Sequence, residues 1–119
     1  GILVLGLCRV ARSADLGVYR LLLALRDGGQ LAPFVERTLA PLRADARSGE
    51  KLIETLEAYL ACNGNASLAT ERLHLHRNSL AYRLARAGAL LGRDLDDPET
   101  RLALELALRG RRVLEAADG

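Results

Sequence analysis

The chain has 119 residues, the size of one ordinary domain, and half of them are apolar, so it can bury a core. Leu and Ala dominate the apolar residues and only 3% of the chain is aromatic, a balance that favours helices over strands. A net charge of +2 is too small to indicate a nucleic-acid partner by itself, and the apolar run 2–10 is too short to span a bilayer. Composition therefore argues against a membrane protein and predicts an all-α fold.

The first part of the chain contains two predicted helices. Leu and Tyr residues at helical spacing predict a helix over 13–26, which the following Asp-Gly-Gly sequence ends. A shorter helix is predicted over 31–39 and is closed by Pro41, because proline interrupts the hydrogen bonding of a helix. The chain starts without Met, so we expect these helices to follow an upstream region of a longer protein.

Residues 42–49 are polar and basic and end in glycine, as a linker between two units often does. We therefore predict a domain boundary at this point. Residues 1–47 are expected to be the mostly helical end of the upstream region, and residues 48–119 to form a domain of their own. The first helix of that domain should begin near Ser48, a good N-cap, and continue through Ala61, because its apolar residues recur at helical spacing.

The next segment has the pattern of two helices joined by a tight turn. A short helix is predicted over 67–73, with Ser67 as its N-cap. A longer helix follows over 77–91 and is ended by Gly92. Between them, His74 occupies a turn position at which positive φ, and therefore glycine, is usual. A last helix should follow, with Asp97 as N-cap and Pro98 at its first position. Its predicted apolar stripe is Leu102, Leu106 and Val113, filled out by Ala103, Leu104 and Leu108.

Two helices joined in this way keep their angle only if the positions between them are small or apolar. Thr70, midway along the short helix, is expected to face the second helix, where a larger side chain would push the two apart. The predicted buried positions of the pair are all leucines: Leu68, Leu73, Leu75, Leu80 and Leu84. The pattern predicts a helix-turn-helix unit centred on residues 65–91.

Positive charge is concentrated in this unit. Residues 65–93 contain five arginines and one acidic residue, whereas residues 94–119 contain seven acidic residues and four arginines. The exposed face of the second helix is predicted to carry His76, Arg77, Asn78, Ser79, Tyr82, Arg83 and Arg86. Since the N-terminal part of this helix enters the DNA major groove in helix-turn-helix proteins, the face is a candidate DNA-binding site.

The position of each residue along the helix suggests its role. Arg77, at the start, can donate two hydrogen bonds to guanine. His76 and Ser79 can reach a base edge or a phosphate, whereas Asn78 can either cap the helix or bind a water beside a phosphate. The later residues of the face are expected to contact the DNA backbone, which positions the protein without reading sequence.

The same features have simpler interpretations. A basic helix face is often only a solvated surface, and the alternative function is a helical protein–protein interaction or dimerisation module without DNA binding. His74 and His76 lack the Cys or acidic neighbours of a metal site. The three aspartates over 94–97 suit a loop and a helix cap. The sequence shows no paired carboxylates in an apolar setting, no nucleophile with a base and no phosphate loop, so we expect no catalytic residue, cofactor or metal, and no enzyme. Cys8 and Cys62 are expected to be free thiols.

Several short motifs stand out together between Leu52 and Val113. They are Asn63-Gly64-Asn65, His74-Leu75-His76-Arg77-Asn78-Ser79, Tyr82-Arg83-Leu84, Gly92-Arg93-Asp94-Leu95 and Asp97-Pro98. In combination they resemble the C-terminal domain of the PucR/CdaR-type bacterial transcriptional regulators. The upstream residues 15–22 and 34–42 are similar to the helical segment that precedes this domain in the same family.

The resemblance implies a cytoplasmic regulator that binds double-stranded DNA in a sequence-specific way, with its recognition helix, over about 77–91, in the major groove. It implies a homodimer or larger homo-oligomer, and an effector that binds outside this chain. The resemblance also implies that five residues lie on the recognition helix: Arg77, Asn78, Ser79, Tyr82 and Arg83. Ala81 departs from the family, in which a basic residue is common at this position, so a contact from residue 81 is not expected.

Overall fold

The computed structural model describes residues 13–118, and over this range the chain is helical without a strand. The predicted all-α fold is confirmed. In chain order the helices are α1 (Ser13–Asp27), α2 (Leu31–Arg43), α3 (Gly49–Ala61), α4 (Ala66–Leu73), α5 (Arg77–Leu91) and α6 (Pro98–Asp118). Within the described range, no helix combines the length and the apolar character needed to cross a membrane.

The core forms mainly between α2 and α6. Leu31, Val35 and Leu39 recur at every fourth position of α2, are buried, and pack in one cluster with Leu108 of α6. The two helices approach closely at Gly110, where an added Cβ would lie 2.8 Å from the Leu31 Cδ1 atom. Any larger residue at this position would force the buried Leu31 side chain to shift, which favours glycine here although it is a poor helix former.

Helix α2 is longer than predicted, since it continues through Pro41 and ends at Arg43. The expectation that Pro41 closes the helix at residue 39 is wrong. A proline in the last turn removes one hydrogen bond, while continuing the helix buries the next residue, Leu42, completely. Burying a leucine side chain contributes about 1.5–3 kcal/mol, enough to offset the lost hydrogen bond.

Helices on both sides of the predicted boundary share this core. Leu42, before the boundary, and Leu52 and Ile53, after it, are all buried in the same cluster. Between α2 and α3 the chain makes a short turn that ends at Gly49, which is buried against the backbone of Arg43. The division into residues 1–47 and 48–119 stays a prediction, and its residues 1–12 lie outside the described range.

The last helix begins as predicted. The Asp97 Oδ2 atom accepts hydrogen bonds from the Thr100 backbone N–H (3.0 Å) and the Thr100 hydroxyl (2.9 Å), so Asp97 caps α6. The predicted apolar stripe is only partly correct, because Leu102 is 57% exposed and Ala107, not included in the stripe, is fully buried. Ala107 comes five residues after Leu102 and therefore lies on nearly the opposite side of the helix, which is the side that faces the core.

The prediction of free thiols is wrong at Cys62, which is buried and disulphide-bonded in the structure. Cys8, the other cysteine of the chain, lies outside the described residues.

Candidate nucleic-acid interface

Helix α4 begins with a side-chain cap. The N-cap of α4 is Asn65, whose side-chain Oδ1 accepts a hydrogen bond from the Leu68 backbone N–H at 3.1 Å. Ser67, the predicted cap, instead lies inside the helix, and its carbonyl oxygen accepts a hydrogen bond from the Thr70 hydroxyl at 2.7 Å. The prediction of the cap was wrong by two residues because both Asn and Ser are good N-caps.

His74 takes the left-handed conformation that its position predicts. Its φ of 55° and ψ of 45° end α4, and its backbone N–H points back to the last carbonyls of that helix. The next N–H, of Leu75, donates to the Thr70 carbonyl oxygen at 3.0 Å. A left-handed residue after a helix satisfies free carbonyl groups and turns the chain sharply, so only three residues separate α4 from α5.

The fully buried small residue of α4 is Ala69, not Thr70. Ala69 is completely buried, whereas Thr70 is half-buried and uses its hydroxyl to bond the backbone of its own helix. Leu68, predicted to be buried, is 42% exposed. Adjacent residues of a helix are about 100° apart around its axis, so a shift of one residue changes which face is buried.

Helix α5 has the bounds that the sequence predicts. It begins at Arg77 after His76, whose imidazole Nδ1 accepts a hydrogen bond from the Asn78 backbone N–H at 3.0 Å. It ends before Gly92, which has a φ of 65°. Leu80 and Ala87 are its fully buried residues, so the opposite face of the helix is turned to solvent.

That solvent face carries most of the predicted site. The exposed residues are His76, Arg77, Asn78, Ser79, Tyr82 and Arg86, and Tyr82 is 70% exposed. Arg83 is half-buried. The Arg77 guanidinium forms no hydrogen bond or ion pair with another part of the described chain, and it is therefore available to a ligand.

The two later arginines are held by side chains from other elements. The Arg83 Nη1 atom donates to the Thr55 hydroxyl oxygen at 3.3 Å, and Thr55 is itself buried in α3. The Arg86 Nη2 atom lies 3.5 Å from the Asp45 Oδ2 atom, in the turn between α2 and α3. Both contacts orient the guanidinium groups along the same side of α5.

A groove runs between α5 and the start of α3. We call it the α3–α5 groove, and its lining residues include Asn78, Ser79, Tyr82, Arg83 and Arg86 from α5. His76 and Arg77 are not among its lining residues and lie at the N-terminal end of α5. The structure thus brings together five of the seven predicted residues along one groove.

Sequence reasoning missed the other wall of this groove, which Asp45, Ser48 and Lys51 supply. Partial burial raises the pKa of Asp45, but hydrogen bonds from Ser48 and Arg47 and the charge of Arg86 outweigh it and hold the pKa below its usual value. Lys51 is exposed in the first turn of α3. No local pattern points to these residues, because they join the site only when α3 packs beside α5.

The unit is also anchored to the last helix. The Arg101 guanidinium lies 5.7 Å from the centroid of the Tyr59 ring, and its Nε atom donates to the Leu95 carbonyl oxygen at 2.7 Å. It packs directly against Gly64, which has a φ of 78° in the turn before α4. These contacts hold the turn between α3 and α4 against α6.

No group of three or more His, Cys, Asp or Glu side chains is arranged to hold a metal ion among the described residues. His74 and His76 lie in the turn without a third potential ligand beside them.

A short capped helix, a left-handed turn and a second helix with a cationic solvent face define a helix-turn-helix DNA-binding domain. Residues 52–110 match the family described as the PucR C-terminal helix-turn-helix domain. The chain thus belongs to the PucR-type helix-turn-helix regulators, as its motifs suggested. No solved structure matches the chain.

Curated relatives agree with this assignment. The chain is 39% identical, over 78% of its length, to the "Purine catabolism regulatory protein" of Bacillus subtilis. It is 36% identical, over 80% of its length, to the "Proline-responsive transcriptional activator PutR" of the same organism. The "DNA-binding transcriptional activator AdeR", also of Bacillus subtilis, is 27% identical over 84% of the chain. The chain spans 18%, 23% and 24% of the length of these relatives, so it corresponds to a DNA-binding regulatory domain.

Proposed function

We propose that the chain binds duplex DNA in a sequence-specific way, with the N-terminal part of α5 in the major groove. One observation carries the proposal: Arg77, in the first turn of α5, is exposed and unpaired within the described chain, next to exposed Asn78 and Ser79. An arginine in this place can donate two hydrogen bonds to the O6 and N7 atoms of guanine.

The later part of α5 is assigned to the DNA backbone. Arg86 lies nine residues after Arg77, so the helix has advanced by about 13 Å between them, away from the bases that Arg77 reaches. Tyr82 and Arg86 are exposed on the same side, and Arg83 is oriented by Thr55. Contacts to phosphate position a protein on the duplex but do not distinguish sequences.

The relatives of the chain, a regulatory protein and two transcriptional activators, support a regulatory role for the whole protein. We infer that the domain directs a bacterial transcriptional regulator to its operator in the cytoplasm and has no catalytic role. We further propose that this regulator acts as a homodimer or larger homo-oligomer, and that its effector binds outside this chain. Light scattering on the purified full-length protein tests the oligomeric state.

The experiment that tests the DNA-binding proposal is the selection of bound duplexes from a random pool. The expected result is an enriched half-site containing guanine, together with weaker binding of the random pool itself. Arg77→Ala should reduce the enrichment of guanine at the position that Arg77 reads. A folded chain that enriches no sequence and binds no duplex would overturn the proposal and favour a protein–protein interaction module.

A further inference from the structure

The carboxylate of Asp45 is held in a fixed position beside Arg86. Its Oδ2 atom lies 3.5 Å from the Arg86 Nη2 atom and accepts a hydrogen bond from the Ser48 hydroxyl at 3.1 Å. Its Oδ1 atom accepts from the Arg47 backbone N–H at 3.2 Å. The Asp45 side chain is 21% exposed, whereas that of Arg86 is 44% exposed. The arginine is therefore accessible from solvent while an anionic oxygen already contacts it.

The other charged side chains of the α3–α5 groove are cationic. Lys51, Arg83 and Arg86 line it, and Asp45 is the acidic residue among its lining residues. Lys51 is exposed, and its ammonium group forms no ion pair with the described part of the chain. A groove with three cations and one tethered carboxylate suits a chain of anionic oxygens that can replace the carboxylate.

We propose that the α3–α5 groove binds the phosphate backbone of one DNA strand, with Lys51 as one of the phosphate contacts. In the free protein the Asp45 carboxylate pairs with the Arg86 guanidinium, and a phosphate replaces that carboxylate when DNA binds. The inference rests on the proposed DNA binding and adds residues to it from outside α5. Phosphate and carboxylate offer the guanidinium the same kind of acceptor oxygen. Each duplex that binds must therefore overcome the Asp45–Arg86 contact, whatever its sequence.

The first consequence concerns Lys51. A cation that neutralises one phosphate steepens the dependence of log K on log salt by about 0.9. Lys51→Ala should therefore weaken binding of a fluorescent random-sequence duplex several-fold at low salt and make the salt slope shallower by about one unit. Arg20→Ala is the matched control, because Arg20 is an exposed cation on α1 that does not line the groove.

The second consequence concerns Asp45. Asp45→Asn keeps one acceptor oxygen, enough for the hydrogen bond from the Arg47 backbone N–H, and its amide NH2 can donate to the Ser48 hydroxyl. The substitution removes the charge that competes with phosphate. Affinity for the random duplex should rise about two- to fivefold, the range of a partly exposed ion pair. Glu54→Gln, an exposed acid on α3 that does not line the groove, should change affinity much less.

A double-mutant cycle separates this mechanism from a general effect of charge. If Asp45 acts through Arg86, Asp45→Asn should have little effect in a chain that already carries Arg86→Ala. An equal gain in both backgrounds would overturn the proposal, because the effect would then be long-range electrostatics alone. Equal effects of Lys51→Ala and Arg20→Ala would overturn it as well.

DNA binding by the wild-type chain distinguishes failure of the proposed function from failure of the groove inference. If it is helical by circular dichroism but binds neither the random duplex nor a selected one, the proposed function and this inference both fall. If it binds duplex DNA while the groove variants behave like their controls, only the groove inference is wrong.

Discussion

The imidazole Nδ1 of His76 accepts a hydrogen bond from the backbone N–H of Asn78 at 3.0 Å. The last residue of the turn is therefore also the cap of the helix that carries the predicted DNA-binding face. The Nδ1 edge of the ring is occupied by this contact, so only the Nε2 edge of His76 can reach DNA. The sequence predicts that His76 reaches a base edge or a phosphate, and its role as a helix cap appears only in the structure.

Replacing His76 should therefore destabilise the protein as well as weaken DNA binding. His76→Ala removes the cap of α5 and should lower the free energy of unfolding by about 0.5–2 kcal/mol. His76→Asn supplies another good cap and should retain most of that stability. Urea unfolding followed by circular dichroism measures both variants, and equal stability of His76→Ala and wild type would show that the cap contributes nothing.

Asn65, the N-cap of α4, and Ser67, in the first turn of that helix, give a second prediction. Asn65→Ala should cost about 1 kcal/mol, because the Leu68 N–H loses its acceptor. Ser67→Ala should cost little, because the Ser67 side chain does not cap the helix. The same unfolding measurement distinguishes them. A larger loss for Ser67→Ala than for Asn65→Ala would restore the cap predicted from sequence.

The buried face of α4 can be tested by enlarging its side chains. Ala69→Leu places three more carbons in a fully buried position and should destabilise the chain by about 1–3 kcal/mol or more. Ala66→Leu adds the same atoms at an exposed position of the same helix and should be close to neutral. Thermal unfolding compares the pair, and tolerance of Ala69→Leu would mean that α4 packs differently.

Two glycines in helices should respond in opposite ways to alanine. At Gly110 an added Cβ would meet Leu31 at 2.8 Å and Val35 at 3.0 Å, so Gly110→Ala should destabilise by about 1–3 kcal/mol. At Gly17, in α1, nothing lies within 4 Å, so Gly17→Ala should stabilise by about 0.5–1 kcal/mol. Denaturant midpoints of the two variants test this, and a gain at Gly110 would contradict the tight packing of α2 on α6.

Arg77 and Arg86 should differ in how they affect DNA binding. Arg77→Ala should cost about 1–3 kcal/mol on a selected duplex and much less on a random one. Arg86→Ala should weaken both duplexes about equally and lower the salt slope by about one unit. Salt titrations of binding for both variants test the assignment. Equal losses on both duplexes for Arg77→Ala, with a shallower slope, would show that Arg77 contacts phosphate.

Sequence by itself determined the features that depend on neighbouring residues. The bounds of α5 at Arg77 and Leu91, the left-handed His74 and the Asp97 cap of α6 were all predictable. Each rests on hydrogen bonds or backbone conformations within three or four residues. Such local preferences are encoded in residue types at fixed spacings, and the same spacings carry the resemblance to the PucR type.

Tertiary structure decided what depends on distant residues. Pro41 lies within α2 because the next residue, Leu42, is buried in a core to which α6 contributes. Ala69 rather than Thr70 faces inward because of how α4 packs. Asp45 meets Arg86 only because the turn after α2 lies beside α5. Burial and ion pairing between separate helices depend on their relative positions, and helical periodicity within one segment contains no information about those positions.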